Sequence, residues 1–156
     1  MKKVILISVI FFLDRITKVY LLNLQEDGID INFYVNSFLN LYLIWNNGIG
    51  FGLAAMESNV YYHAITFVII LVNIALLFFL LKSKGIDAYL LSLVIGGSLG
   101  NLFDRLYYYA VPDFIDLHIG NYHWFIFNVA DIFITLGIIG LILAEILKKK
   151  KIATDE

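Results

Sequence analysis

Four apolar runs, near Val4–Leu24, Val60–Leu81, Ala88–Tyr109 and Phe125–Leu147, take up more than half of the chain. Each approaches the ~20 residues that a helix needs to cross the hydrocarbon of a bilayer. Only helices and closed barrels satisfy their own backbone there, so the runs predict four transmembrane helices. The composition agrees: of 156 residues 61% are hydrophobic and 15% charged, against the ~45–50% apolar content of soluble domains. Lys2 and Lys3 precede the first run, Lys82 and Lys84 separate the second from the third, and Lys148 to Lys151 follow the fourth. By the positive-inside rule all three clusters face the cytoplasm, with both termini inside. Asn23–Asn59 and Ala110–Trp124 carry no lysine or arginine and fall outside. Lys2, Lys3 and the run behind them imitate a signal peptide. Asp14, Arg15 and Lys18 interrupt that run and no small-residue cleavage site follows, so it reads as an uncleaved span. Segregated charge and a net charge of -2 make nucleic acid an unsuitable partner. The absence of cysteine removes disulfides, thiol nucleophiles and thiolate metal sites.

Between the first two runs the texture changes. Ile31, Phe33 and Val35 alternate with other positions, as do Leu39, Leu41, Leu43 and Trp45, which is the period of half-buried strands. Asn46-Asn47-Gly48 supplies turn chemistry, and Gly50–Met56 reads as a short apolar surface helix. The expected architecture is one domain over 1–156: an all-α membrane bundle of four helices with a small outer sheet and short surface helix over about 29–58. The second run holds one strongly polar residue, Asn73, and His63 at its edge among tyrosines reads as interfacial.

Polar residues concentrate between Gly96 and Asp131: Asn101, Asp104, Arg105, Asp113, Asp116, Asn128 and Asp131. Such groups are costly in a bilayer unless they pair or do chemistry. On the third helix Ser92, Gly96, Gly100 and Asp104 recur every four residues beside the row Gly97, Asn101 and Arg105, so small residues allow close helix approach and polar ones gather at the outer end. Arg105 is suited to orienting a carboxylate by a forked hydrogen bond. Pro112 forces Val111 into an extended conformation, leaving Asp113 just past the third helix. Asn128, Asp131 and Thr135 share a face early in the fourth. Topology alone thus brings Asp113 and Asp131 to one depth. Two close carboxylates share a proton and can serve as general base and general acid together. Asp14 and Lys18, four residues apart, read as a structural ion pair in the first helix.

In order along the chain, D-x-x-T-K (Asp14 to Lys18), N-x-G (Asn46 to Gly48), G-N-x-x-D-R (Gly100 to Arg105), V-x-D-F (Val111 to Phe114) and F-N-x-A-D (Phe127 to Asp131) resemble lipoprotein signal peptidase, the signal peptidase II family. The resemblance covers nearly the whole chain. It implies an aspartic peptidase of the bacterial inner membrane that removes signal peptides from diacylglyceryl-modified prolipoproteins, cutting just before the lipidated cysteine and using no metal or other cofactor. The implied partners are those substrates and membrane lipid. Asp113 and Asp131 correspond to the catalytic pair, and Asp14, Lys18, Asn46, Gly48, Asn101, Asp104, Arg105 and Asn128 to supporting or substrate-shaping positions. Two positions depart from the family: a glycine common before V-x-D-F is Tyr109 here, and a proline common before F-N-x-A-D is Phe125. The rival classes are an ion-coupled carrier, which needs carboxylates along a midplane path, and a non-enzymatic adaptor, which needs no carboxylate pair. A metalloprotease could draw on His118, His123 and Asp113, but no helical metal-ligand spacing is present.

Overall fold

The structure, a computed structural model, describes residues 1–48 and 59–155. Its elements run α1 (Lys2–Glu26), β1 (Asn32–Asn36), β2 (Leu39–Asn46), α2 (Asn59–Lys82), α3 (Gly85–Tyr107), β3 (Val111–Ile119), β4 (Tyr122–Phe127) and α4 (Val129–Asp155). The surface helix expected over Gly50–Met56 lies outside the described residues. Val60–Lys82, Gly85–Tyr107 and Val129–Lys151 are long and apolar enough to cross a membrane. Helix α1 has the length, 25 residues, but Asp14, Arg15 and Lys18 lower its hydropathy.

Helix α3 is the hub of the bundle. Gly96 admits Ile10 of α1, Gly97 lies against the Ala130 carbonyl of α4, and a Cβ at Gly100 would come within 2.5 Å of the Asp14 carboxylate. The small-residue stripe therefore does two things: it brings helices together, and it opens room for a buried charge. Lys18 is 0% exposed and uses three donors on three acceptors: Asp14 Oδ2 at 2.8 Å, Asn101 Oδ1 at 2.9 Å and Asp104 Oδ2 at 2.7 Å. Arg15 donates to the other oxygen of Asp104 and lies over the Phe103 ring, 4.7 Å from its centroid. Asp14 Oδ1 accepts the Ala130 amide of α4 at 3.0 Å. An ammonium has three protons to donate, and each finds a partner, so the charges of Asp14, Arg15 and Lys18 are neutralised with that of Asp104 within the bundle. The sequence reading of an Asp14–Lys18 pair holds, and the pair is part of a larger network that ties α1 to α3 and α4.

The sheet is larger than the alternation between residues 31 and 45 implied. It has four antiparallel strands in the order β1-β2-β3-β4, with β3 and β4 supplied by the segment after α3. The fourth helix accordingly starts at Val129 rather than near Phe125, and the third ends at Tyr107. Helix α1 stops in a Schellman arrangement in which Ile29 N–H donates to Leu24 O and Gly28 N–H to Gln25 O, with Gly28 at φ 82°, the left-handed geometry that glycine takes without cost. Ile31 then packs with Leu21 and Phe114 in a small core that roots the sheet on the bundle. Pro112 pairs with Trp45 of β2, while β4 joins β3 only from Ile115 onward. At Pro112 the strand is therefore still an edge on one side, where a missing N–H costs no ladder bond. Tyr109, the departure noted before V-x-D-F, adopts φ 58°; a residue with a Cβ meets a cost of about 1–2 kcal/mol in that region.

Removing Lys18 would leave Asp14 and Asp104 buried with one fewer cation. Breaking such a pair from one side costs about 3–5 kcal/mol. Lys18→Ala should lower the melting temperature in detergent accordingly, and an unchanged melting curve would contradict a structural role for the network.

Candidate active site

The hairpin β3–β4 carries one carboxylate into the bundle at each of its ends. At its start Asp113 is opposite Ile44 of β2, so Asn46 is its diagonal same-face neighbour and donates from Nδ2 to Asp113 Oδ2 at 2.8 Å. At its finish Asn128 and Asp131 cap α4 reciprocally. The Asp131 amide donates to Asn128 Oδ1 at 3.2 Å, and the Asn128 amide donates to Asp131 Oδ2 at 3.1 Å. This double bond satisfies two N–H groups that the helix itself leaves free. It fixes the Asp131 carboxylate in the first turn, where the helix dipole favours negative charge.

Three side-chain amides hold the two carboxylates, and each amide is itself oriented by a second bond. Asn128 Nδ2 donates to Asp113 Oδ1 at 2.6 Å while its oxygen is engaged by the Asp131 amide. Asn46 donates to Asp113 while its oxygen accepts the Gly48 amide at 2.9 Å. Asn101 Nδ2 donates to Asp131 Oδ1 at 2.8 Å while its oxygen accepts Lys18. A flipped amide would break two bonds at once in each case, so the donor end faces the carboxylate. Neither Asp113 nor Asp131 has a lysine or arginine as a hydrogen-bond partner among the described residues. Burial first, and the charge of Asp131 second, push the Asp113 carboxyl from its ordinary 3.8 up to about 6, against the opposing pull of Asn46 and Asn128. A buried carboxyl beside a second carboxylate keeps its proton for these two reasons.

Asp113 and Asp131 line one cavity of about 270 Å³ together with Asn46, Asn101, Arg105 and Asn128, and its wall continues down the bundle through Ile69, Ile134, Thr135 and Ile138. One end is polar and acidic; the other is an apolar channel between α2, α3 and α4. Arg105 does not fork onto a carboxylate as its sequence position suggested. Its guanidinium donates to the Gly48 carbonyl, its carbonyl accepts the Tyr62 hydroxyl at 2.8 Å, and Nη1 is buried with no partner among the described residues.

The candidate residues thus divide in two. Asn46, Asn101, Arg105, Asp113, Asn128 and Asp131 meet at the cavity, with Gly48 bonded to two of them. Asp14, Lys18 and Asp104 lie behind Asn101 in the buried network and do not line the cavity. Arg15, which the sequence reading passed over, belongs to that network; its signal was a second cation beside Asp14 inside an apolar run. The convergence considered for His118, His123 and Asp113 does not form, since Asp116 is the carboxylate beside the two histidines. An ion path through the midplane finds no support either: Asp14 is 0% exposed, bonded to Lys18 and Ala130.

A carboxylate pair held by three oriented amides at the head of an apolar channel can activate a water molecule and protonate a carbonyl oxygen. Comparisons with known proteins identify the family. The family model for signal peptidase (SPase) II matches residues 6–147. The lipoprotein signal peptidase of Pelagibacter ubique (strain HTCC1062) is 50% identical over 147 residues, 94% of this chain and 89% of that protein. That of Anaplasma phagocytophilum (strain HZ) is 40% identical over 151 residues, covering 96% and 94%. Two solved structures of a bacterial membrane enzyme, obtained by the in meso method, superpose with TM-scores of 0.77 and 0.75 at 29% and 30% identity, covering 96% and 92% of this chain and 90% and 91% of theirs. With the match spanning all four helices and both ends of the hairpin, the chain belongs to the signal peptidase II family.

Proposed function

We propose that the protein is an aspartic endopeptidase that removes signal peptides from prolipoproteins, with Asp113 and Asp131 as its catalytic pair. The observation that carries this reading is the set of three oriented amides, which holds two carboxylates in one cavity with no lysine or arginine hydrogen-bonded to either among the described residues. One carboxylate takes a proton from the attacking water while the other gives its proton to the carbonyl oxygen, and the roles return when the amine leaves. Nη1 of Arg105, which has no partner among the described residues, is the group best placed to receive a carbonyl of the unwound substrate, because the amides of Asn46 and Asn128 are already engaged. The apolar wall of Ile69, Ile134 and Ile138 suits the residues of a signal peptide.

The same reading takes all four helices as spans of one domain, with both termini cytoplasmic and the site near the outer face of the bacterial inner membrane. Helix α1 supports it. Its exposed large residues are Val4, Ile5, Val9, Phe12, Leu13, Ile16, Val19 and Tyr20, all fit for lipid, while Asp14, Arg15 and Lys18 turn inward and pair. At 1.5 Å per residue a helix of this length reaches about 37 Å, beyond the ~30 Å of hydrocarbon. A diacylglyceryl chain on the substrate cysteine, held in the outer leaflet, would fix the bond to be cut at the depth of the carboxylates. That replaces a search through the bilayer by a held geometry.

Three measurements test the reading. Asp113→Asn and Asp131→Asn should each reduce cleavage on the order of 10³-fold or more while the melting curve stays cooperative; full activity in either variant would remove the pair from catalysis. Because Asp113 keeps its proton up to about pH 6, the singly protonated pair is abundant below that pH and lost above it. The alkaline limb of kcat/KM, which reports the free enzyme, should therefore have its midpoint near pH 6, and a rate still rising beyond pH 8 would contradict the shared proton. Lipidated and unlipidated forms of one precursor, compared by initial rate, should differ by at least tenfold in favour of the lipidated form with or without chelator, whereas equal rates would mean that the site reads peptide alone.

A further inference from the structure

The hairpin that joins the two carboxylates carries a second cluster, and it is built from different chemistry. On β3, Asp116 and His118 are two residues apart and share a face. On β4, His123 is the direct partner of His118, and Ile126 the partner of Asp116. Three steps on β4 answer two on β3, so the register shifts between these pairs. An extra residue of this kind re-aims the following side chain, and here it turns His123 onto the face of Asp116 and His118. The tight turn at Gly120, φ 58°, closes the hairpin two residues beyond His118.

The resulting geometry is compact. One ligand atom from each of Asp116, His118 and His123 falls within 4.8 Å of the other two. His123 Nδ1 is 2.8 Å from Asp116 Oδ2, and His118 Nδ1 is 4.0 Å from the same oxygen. The two rings stack with centroids 5.1 Å apart and planes at 25°. Ligands at ~2.0–2.2 Å from a tetrahedral zinc stand about 3.4 Å from one another, so the present spacings bracket that value. Small rotations of His123, whose side chain is half exposed, would bring the three atoms into place. The second observation is His118 itself. Its side chain is only 10% exposed, yet Nδ1 has no hydrogen-bond partner among the described residues. Asn40, opposite Asp116 on β2, also has a buried oxygen without a partner. Two buried side-chain polar atoms beside the Asp116 carboxylate thus have no hydrogen-bond partner among the described residues, whereas buried polar groups are as a rule paired.

We propose that Asp116, His118 and His123 bind a divalent transition-metal ion of the zinc class, with water completing the shell. Two imidazoles and one carboxylate suit Zn²⁺, and Cu²⁺ and Ni²⁺ by the general affinity order, better than Mg²⁺ or Ca²⁺, which take oxygen ligands. The ion would clip β3 to β4 outside the catalytic cavity. Since Asp113 starts the hairpin and Asn128 and Asp131 follow it, the clip would stiffen the connection between the two carboxylates without touching either.

The chain is well suited to a direct test, because it has no cysteine and three histidines in all, His63 being the third. Tag-free protein, stripped with chelator and dialysed in detergent, is titrated with ZnCl₂ at pH 7.5 by calorimetry, and its melting temperature is read with and without the ion. One equivalent should bind and raise the melting temperature. His123→Ala, chosen because its side chain is half exposed and the fold should survive, and His118→Ala should each weaken binding at least tenfold, while His63→Ala leaves it unchanged. No saturable binding at tens of micromolar Zn²⁺, or binding undiminished in both His118→Ala and His123→Ala, would overturn the assignment, as would loss of binding in His63→Ala.

Discussion

A buried ammonium sets the arrangement on which the rest depends. Lys18 has no exposed surface, so its charge is tolerable only with every proton donated, and its three acceptors come from α1 and α3. Two of those acceptors have further work. Asp14 takes the Ala130 amide and so fixes where α4 begins relative to α1. Asn101, its oxygen held by Lys18, must present its NH₂ group to Asp131. A lysine remote from the cavity thereby orients a carboxylate inside it. Replacement of such a network by apolar residues can be neutral for stability in other proteins; here it would release the amide that steers Asp131.

Local rules carry that order from the network to the cavity. Asn128 caps α4, and the same side chain donates to Asp113, so the start of the last helix and the position of the strand carboxylate are one constraint. The bulge in β2 between Leu41 and Ile44 resets the register so that Asn46 reaches Asp113. Close approach of the helices at Gly97 and Gly100 leaves no room for a larger side chain where α4 and Asp14 meet α3. The site is therefore assembled from four separated segments, each positioned by its own backbone chemistry, with the carboxylates as the last members added.

Much of this was legible in the sequence for physical reasons. The apolar runs, the small-residue stripe of α3 and the i,i+4 pair of Asp14 and Lys18 are periodic features, and periodicity survives into three dimensions. Strands β3 and β4 were not legible by that route. Val111 to Phe114 is buried at every position, so the alternation of a half-exposed strand is missing. Tyr122–Phe127 is a short, largely apolar run, which by pattern alone cannot be told from the start of a helix; its first half was read as outer loop and its second half, from Phe125, as the beginning of the fourth span. Two signals could have corrected it: Gly120-Asn121 between aliphatic and aromatic runs marks a hairpin turn, and Asn128 three residues before Asp131 marks a helix start at Val129. Arg105 was assigned to a carboxylate because its partner, the Gly48 carbonyl, is a backbone atom with no sequence signature.

The central claim is that Asp113 and Asp131 hold one proton between them up to about pH 6, because burial and the charge of Asp131 raise the Asp113 carboxyl and their hydrogen-bond partners are amides. Infrared difference spectroscopy in D₂O tests it most directly, recorded from pH 4 to 8 on the protein in detergent, with Asp131→Asn as the reference that removes the pair. A protonated-carboxyl stretch present at pH 5, lost with a midpoint near 6 and altered in the reference is the predicted result. A spectrum in which no protonated carboxyl persists above pH 5, or in which the band is the same in both proteins, would contradict the account.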